Sequence, residues 1–407
     1  MNKDSGVAQA VPPAGLTSNR VWLLVALVLI MLNLRPAISA VSALLGAIRS
    51  DLGLSGAAVS VLTALPTVGL AVFAFLGPRL TGRWGEERLI AGSGFLLLAG
   101  NLLRMVPAAA ALFGGTALIG SAIGLVTGAI PGLVKRAFPD KFAALMALYT
   151  ITLTIGASVA SGFATPLAHG LDSAWTLPLA VLTVPIGVLA CLCWTPALTR
   201  SGRSRTNTPI PPGMWRDRVA WQVTIFFSCT GFIYYFVFSW LPTVCHDRGM
   251  DATASGFVLS VVALVQVVGS LGVPAVIART RDQRGLSVVV AVVNIVGLVG
   301  VTVGPVPWGV WVSAVVLGLS LGGAFGLAMT LIGLRAQDAV TATGLSGMTQ
   351  GIGYAVSAAG PLFTGLLHSA TGGWLAPLGL VVLVCLGQLT SGLEAGRTRT
   401  VLADVPQ

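Results

Sequence analysis

Residues 21–48, VWLLVALVLIMLNLRPAISAVSALLGAI, are predominantly apolar and contain a single charged side chain, Arg35. A helix needs about 20 such residues to cross a bilayer, so this stretch predicts a membrane-spanning helix. The stretch is too long for the apolar part of a signal peptide, and no small-residue cleavage site closes it. Residues 1–20 before it are predicted to be a short polar tail on the cytoplasmic side.

The composition of the whole chain has the same character. Of the 407 residues, 55% are hydrophobic and 9% are charged, and the mean hydropathy is +0.90. A soluble domain carries roughly 25% charged residues because water must wet its surface. These values exclude a soluble enzyme, a soluble nucleic-acid binder and a disordered chain.

Eleven further apolar stretches are long enough to span a bilayer. Their approximate bounds are 56–80, 89–106, 109–134, 142–168, 173–195, 218–243, 254–278, 286–304, 308–333, 339–367 and 374–393. The stretches are too long for barrel strands and lack the alternation of lipid-facing and lumen-facing residues. The predicted fold class is therefore an all-α membrane protein with twelve transmembrane helices.

Basic residues fall mainly on one side of these spans. The formal net charge is +10, and 19 of the 23 basic residues lie in the tails and in every second connection. By the positive-inside rule, both termini are predicted to be cytoplasmic. The same bias accounts for the pI near 10.1 without any nucleic-acid partner.

Two echoes in the sequence indicate a duplicated six-helix unit. The pattern Pro78-x4-Arg83-x4-Arg88 returns 196 residues later from Pro274, and the pattern His169-x5-Trp175 returns 199 residues later from His368. Between the repeats lies an arginine- and proline-rich segment without periodicity. The predicted organisation is a tail (1–20), two pseudo-symmetric six-helix bundles (21–196 and 218–395), a cytoplasmic linker (197–217) and a second cytoplasmic tail (396–407).

Arg35 is the unusual residue, because it lies fifteen residues into the first span. An arginine at the bilayer centre costs roughly 2.5–3.5 kcal/mol on insertion scales. All 13 acidic residues lie in tails, turns or helix ends, so no buried carboxylate is expected to neutralise it. Two interpretations stay open: Arg35 attracts an anionic ligand, or it is a structural pin that binds backbone carbonyls of a neighbouring helix.

Neutral polar residues lie at a depth similar to that of Arg35. They either form one ligand site around the cation or hydrogen-bond between helices. With Arg35, the candidate substrate-binding residues are Asn33, Tyr149, Tyr235, Gln266, Gln350 and Tyr354. No metal motif is present, since the five cysteines form no CxxC pair and have no histidine at metal-ligand spacing. No cofactor is predicted.

Several segments resemble a known transporter family. PRLTGRWGEERLI (78–90) is similar to the loop motif of the major facilitator superfamily, with Gly82 where many members have an acid. A closer resemblance, to its cyanate porter family, rests on NLRPAISAVSALL (33–45), PGLVKRAFP (131–139), SWLPTVCHDRGMDATASGFVLS (239–260), GLSLGGAFGLAMTLIGLRAQD (318–338) and LSGMTQGIGYAVSAAGPLFTGLLHSATGGW (345–374).

The resemblance implies a carrier that works by alternating access around a central cavity. Arg83, Gly85, Arg279 and Trp240 are then expected to act in gating. The predicted function is secondary transport of a small anionic solute such as cyanate or a small organic anion. The alternative is export of neutral or weakly acidic compounds such as nitroimidazole-type drugs. We expect a monomer in the lipid bilayer of a bacterial inner membrane, with a small-molecule substrate and no enzymatic activity.

Overall fold

The computed structural model describes residues 20–171, 175–200 and 213–403, and within these ranges the regular structure is helical. The fourteen α-helices are α1 (Arg20–Leu34), α2 (Pro36–Ala43), α3 (Leu45–Leu52), α4 (Gly56–Trp84), α5 (Glu86–Leu103), α6 (Ala109–Ala137), α7 (Phe142–Gly170), α8 (Thr176–Arg200), α9 (Arg218–Asp247), α10 (Ala252–Ile277), α11 (Arg284–Val303), α12 (Trp308–Arg335), α13 (Ala339–Thr371) and α14 (Leu375–Ala395). Single 3-10 turns, Pro139–Lys141 and Met214–Arg216, precede α7 and α9.

Each of the twelve predicted spans is helical over most of its described residues. Within the described ranges, ten helices or helix pairs are long and apolar enough by composition to cross a membrane. The other two, α5 and α13, are more polar: α5 begins with Glu86, Glu87 and Arg88, and α13 is rich in glycine, serine and threonine. The first span is divided into α1, α2 and α3 by breaks at Arg35 and Leu44.

The helices form two six-helix bundles with equivalent internal packing. In the N-terminal half α6 packs on α4 and α5, and in the C-terminal half α12 packs on α10 and α11. The contacts of α8 with α1 and α5 correspond to those of α14 with α9 and α11. The pairs α2–α7 and α9–α13 correspond in the same way.

One polar contact occurs in both halves at matching positions. In the N-terminal half the indole Nε1 of Trp175 donates to Asp51 Oδ2 over 2.8 Å. In the C-terminal half Trp374 Nε1 donates to Asp247 Oδ2 over the same distance, 2.8 Å. These residues are 196 and 199 positions apart, the offsets of the sequence repeat. Each contact ties the end of the first span of a bundle to the start of its sixth.

Contacts between the halves concentrate where α13 meets α4 and α6, and where α7 meets α10 and α12. We call the end of the molecule that carries Arg83 and Arg136 the basic end. Near it, the surface between the halves is close-packed: added Cβ atoms at Gly347 and Gly351 would lie 2.3 Å from Pro78 Cγ and 2.8 Å from Phe75 Cβ, respectively.

The chain after α14 is attached to the C-terminal half at the basic end. The amide of Val401 donates to the carbonyl of Arg335 over 2.8 Å. The amide of Leu402 donates over 2.7 Å to the carboxylate of Asp217, which also caps α9. This segment therefore holds the start of α9 beside the end of α12.

The break between α1 and α2 depends on a close approach to α7. Pro36 has no amide hydrogen, so the carbonyl of Leu32 has no donor in its own helix. A Cβ at Gly156 would lie 2.7 Å from this carbonyl oxygen and 3.1 Å from Pro36 Cδ. Only glycine permits α7 to pack this closely against the break.

We expect Gly156→Ala to destabilise the protein by about 1–3 kcal/mol, because the added methyl group overpacks this contact. The measurement is the unfolding temperature of the purified protein in detergent. Gly162→Ala is the matched control, since it lies on the same helix and a Cβ there meets no atom within 4 Å. Equal unfolding temperatures for the two variants would contradict the packing argument.

Candidate functional site

Arg35 occupies the break in the first span. It is the residue between α1 and α2, with φ −90° and ψ −36°, and its carbonyl accepts the amides of Ile38 (3.0 Å) and Ser39 (2.9 Å). Arg35 follows Arg20 by fifteen residues, so it lies about 22 Å along the helix axis from Arg20 at 1.5 Å per residue. The side chain is half-buried. The chain thus places a guanidinium near the middle of the membrane.

Four phenol groups lie near this guanidinium. They are those of Tyr149 in α7, Tyr234 and Tyr235 in α9, and Tyr354 in α13. The sequence contains four tyrosines, so every tyrosine of the chain belongs to this group. Because α7 belongs to the N-terminal half and α9 and α13 to the C-terminal half, the group spans the boundary between the halves.

The Arg35 guanidinium forms no hydrogen bond or ion pair with the residues that the structure describes. Another arginine, Arg104, is satisfied by protein groups instead: its Nε and one terminal nitrogen donate to Thr116 Oγ1 over 3.1 and 2.8 Å, and the other donates to the carbonyl of Ala37. Arg104 therefore has the contacts of a structural pin, while Arg35 keeps its donors available.

Gln350 and Tyr354 lie one turn apart on α13, as their spacing predicts. The Gln350 amide donates to the carbonyl of Thr127 in α6 over 2.9 Å and to Ser346 Oγ over 2.7 Å. The Thr127 carbonyl is available because Pro131, four residues later, has no amide hydrogen. Gln350 therefore joins the two halves beside the tyrosine group, and its Oε1 is buried without a hydrogen bond within the described ranges.

Two other predicted residues have different surroundings. Asn33 is buried; in the amide orientation that satisfies both its groups, it donates to the Thr183 carbonyl (3.3 Å) and accepts from the Gly187 amide (3.2 Å), both in α8. Its side chain packs inside the N-terminal half, away from the group around Arg35. Gln266 is buried in α10 and its amide forms no hydrogen bond with the described part of the chain.

The residues expected to act in gating lie at both ends of the molecule. Arg83 and Arg279 are exposed at the basic end, and neither has an ion-pair partner among the described residues. Gly85 has φ +83° and allows the turn between α4 and α5. Trp240 lies at the opposite end, where its indole donates to the Pro361 carbonyl over 3.1 Å and its ring is 5.6 Å from that of Trp374. These contacts of Trp240 are internal to the C-terminal half.

Other residues make the polar contacts between the halves at the basic end. The buried carboxylate of Glu86 lies 3.1 Å from Thr343 Oγ1 of α13 and 3.3 Å from the guanidinium of Arg136. Lys135 Nζ donates to the Gly333 carbonyl of α12 over 2.8 Å. Glu86 thus provides a buried acid four residues after Gly82, the position where many members of the resembling family have one.

An equivalent pair with a neutral partner occurs in the C-terminal half. In the N-terminal half, Arg136 contacts Glu87 Oε1 over 2.6 Å. In the C-terminal half, Arg335 donates to Gln283. The two arginines are 199 residues apart, and Glu87 and Gln283 are 196 residues apart. Arg335 also donates to the Ala395 carbonyl over 2.7 Å. The two halves therefore share an arginine contact at equivalent positions, but its partner is a carboxylate in the N-terminal half and an amide in the C-terminal half.

This architecture agrees with the comparison to known families. The family model described as "Major Facilitator Superfamily" matches residues 21–358. The chain belongs to the major facilitator superfamily. It is a multi-pass membrane transporter and not an enzyme.

Sequence relatives cover nearly the whole chain. An uncharacterized transporter, YycB of Bacillus subtilis, is 34% identical over 95% of this chain and 96% of its own length. A 2-nitroimidazole transporter of Escherichia coli is 33% identical over 94% and 97%, respectively, and the cyanate transport protein CynX of the same organism is 31% identical over 93% and 98%. The resemblance to the cyanate porter family is confirmed.

Solved structures confirm the predicted fold. The fucose:proton symporter FucP of E. coli superposes with a TM-score of 0.73 at 15% identity, over 93% of this chain and all of FucP. The proton:xylose symporter XylE gives a TM-score of 0.76 at 10% identity, over 94% of this chain and 96% of XylE. The all-α prediction with two pseudo-symmetric bundles is therefore correct.

Sequence reasoning missed Tyr234 and the contacts of Glu86, Thr343 and Lys135. All four tyrosines of the chain lie inside predicted spans, and this shared feature could have identified Tyr234 as a candidate site residue. Glu86 gives a weaker signal, because its position at a helix end is typical of an exposed acid.

We expect Thr343→Val to loosen the contact between the halves at the basic end. The variant keeps the shape of the side chain but removes the hydroxyl that contacts the buried carboxylate of Glu86. A hydrogen bond to a charged group stabilises a contact by about 1.5–3 kcal/mol. The open population should rise about 10-fold or more. The measurement is the alkylation rate of a cysteine introduced by Met348→Cys, since Met348 is buried in this contact.

Arg83→Gln is the control in the same Met348→Cys background, because Arg83 is exposed. Its alkylation rate should match that of the parent. If Arg83→Gln raised the alkylation rate above that of the parent and Thr343→Val left the rate unchanged, the result would instead support the predicted gating role of Arg83.

Proposed function

We propose that the chain is a secondary carrier of a small anionic solute, which binds at Arg35 between the two halves. The observation that carries the proposal is a guanidinium in the membrane interior without an ion-pair partner in the described part of the chain. A charge in the membrane interior is costly unless it is paired. A bound anion would provide the missing charge, and a guanidinium binds planar oxyanions through two parallel hydrogen bonds.

The surrounding phenols suit the same role. A phenol can donate to an anion or accept from a guanidinium, so the four tyrosines can orient a ligand that Arg35 attracts. Tyr149 and Tyr354 are buried, whereas Tyr234 and Tyr235 are partly exposed. The Tyr149 hydroxyl has no hydrogen-bond partner in the described ranges. Gln350 and Gln266 are proposed as further polar contacts, and Asn33 as a residue that positions the first span.

The placement of the site favours alternating access. Arg35 and Tyr149 belong to one half, and Tyr234, Tyr235 and Tyr354 to the other, so relative motion of the halves would expose the site to either side. Opening at the basic end would separate Glu86 from Thr343. By the positive-inside rule this end, together with both termini, faces the cytoplasm. The proposed location is the inner membrane of a bacterium. The carrier is proposed to act as a monomer.

A second candidate function is export of neutral or weakly acidic compounds. The observation that favours it is the relative named as a 2-nitroimidazole transporter, which matches this chain over 94% of its length. The relative named as a cyanate transport protein matches 93% of the chain and favours the anion. The two candidates differ in whether transport needs the charge of Arg35.

We expect Arg35→Gln to reduce saturable uptake of labelled cyanate into proteoliposomes about 30-fold or more, since the anion then lacks its partner charge. Unlabelled 2-nitroimidazole is tested as a competitor in the same assay. The unfolding temperature should stay near that of the wild type, because Arg35 contributes no hydrogen bond or ion pair within the described ranges.

Arg104→Gln is the matched control. It removes hydrogen bonds to Thr116 and Ala37, so its unfolding temperature should fall by about 3 °C or more. Its folded fraction should still take up cyanate. The anion proposal is wrong if wild-type protein shows no saturable cyanate uptake while Arg35→Gln still transports 2-nitroimidazole. Uptake that does not saturate would indicate a channel instead of a carrier.

A further inference from the structure

Two of the tyrosines near Arg35, Tyr354 and Tyr234, each pack against further aromatic rings. The Tyr354 ring lies 5.5 Å from the Phe227 ring at 85°, in an edge-to-face contact, and Phe227 lies 5.9 Å from Phe325. The Tyr234 ring stacks on that of Phe238, with centroids 4.2 Å apart and an interplanar angle of 23°. We call these five residues the aromatic wall.

The aromatic wall and the cation come from different halves. Phe227, Tyr234 and Phe238 lie on α9, Phe325 on α12 and Tyr354 on α13, all in the C-terminal half. Arg35 lies in the N-terminal half. A substrate that is bound by both halves therefore needs two different ends, one charged and one that complements aromatic rings.

The wall also borders accessible space. Tyr234, Phe238 and Phe325 pack against the hydrophobic core but are each only partly buried. Phe227 is 1% exposed and supports Tyr354 from behind. Because Phe227 packs against the Tyr354 ring, the position of that ring limits the shape of a ligand that fits beside it.

We infer that the substrate is a planar aromatic or heteroaromatic anion, whose charged group binds Arg35 and whose ring packs against the aromatic wall. This inference rests on the proposed anion transport. Aromatic side chains supply large apolar contact areas, and paired rings attract each other beyond the effect of burial alone. A triatomic or short aliphatic anion satisfies the guanidinium but leaves the wall without a partner.

Tyr354 is the residue that should determine this specificity. It lies close to Arg35 and is held by Phe227, so it contacts the part of the ligand next to the charged group. Tyr354→Leu removes the ring but keeps an apolar side chain. Tyr354→Phe keeps the ring and removes only the hydroxyl.

The test is calorimetric binding of benzoate, cyclohexanecarboxylate, acetate and cyanate to the purified full-length protein. Benzoate and cyclohexanecarboxylate share a charged group and nearly the same size, but only benzoate is planar. We expect benzoate to bind at least about 10-fold more tightly than either carboxylate control or cyanate. Tyr354→Leu should abolish this preference, and Tyr354→Phe should retain it.

Each other result has a defined meaning. Equal binding of benzoate and cyclohexanecarboxylate, or a preference that survives in Tyr354→Leu, overturns the inference. If acetate or cyanate binds in an Arg35-dependent manner and benzoate does not, the inference is wrong and the anion carrier stands. If no anion binds and Arg35→Gln transports like the wild type, the proposed function itself is wrong, and the inference with it.

Discussion

A positive charge inside the membrane, with no ion-pair partner among the described residues, is the constraint on which the rest of the structure depends. Arg35 can be placed there because Pro36 ends α1 and starts α2, and because α7 accepts the break at Gly156. Every tyrosine of the chain lies near the guanidinium. The chain thus surrounds one costly charge with phenol groups, while its donors have no ion-pair partner within the described ranges.

Proline and glycine carry much of the helix packing. A proline frees the carbonyl four residues earlier, and in a membrane that carbonyl needs a partner from another helix. Pro131 frees the Thr127 carbonyl, which accepts the Gln350 amide from the opposite half. Glycines supply the close approach elsewhere, as at Gly347 against Pro78. The contact between the halves is therefore made of small surfaces and a few polar bonds, which suits the alternating access proposed for this carrier.

Hydropathy alone predicted the spans, and repeat spacing predicted the two halves, because the bilayer fixes helix length and each half is built alike. The depth of Arg35, Tyr149, Tyr235 and Tyr354 also followed from counting along the helices. The direction of each side chain did not. In a membrane both the lipid and the protein interior are apolar, so hydrophobic periodicity does not indicate which face of a helix turns inward. For this reason Asn33 was expected at the site but faces α8. The buried position of Glu86 depends on α13, which is distant in sequence.

The absence of a carboxylate partner for Arg35 within the described ranges has an electrical consequence for a carrier of the proposed kind. The empty site carries one positive charge, and the site loaded with a monovalent anion is nearly neutral. A full elementary charge moved through the membrane potential is worth about 2.3 kcal/mol per 100 mV. The loaded carrier would therefore reorient almost independently of voltage, while the return of the empty carrier would carry the current. A potential that is negative inside would hold the empty site towards the cytoplasm.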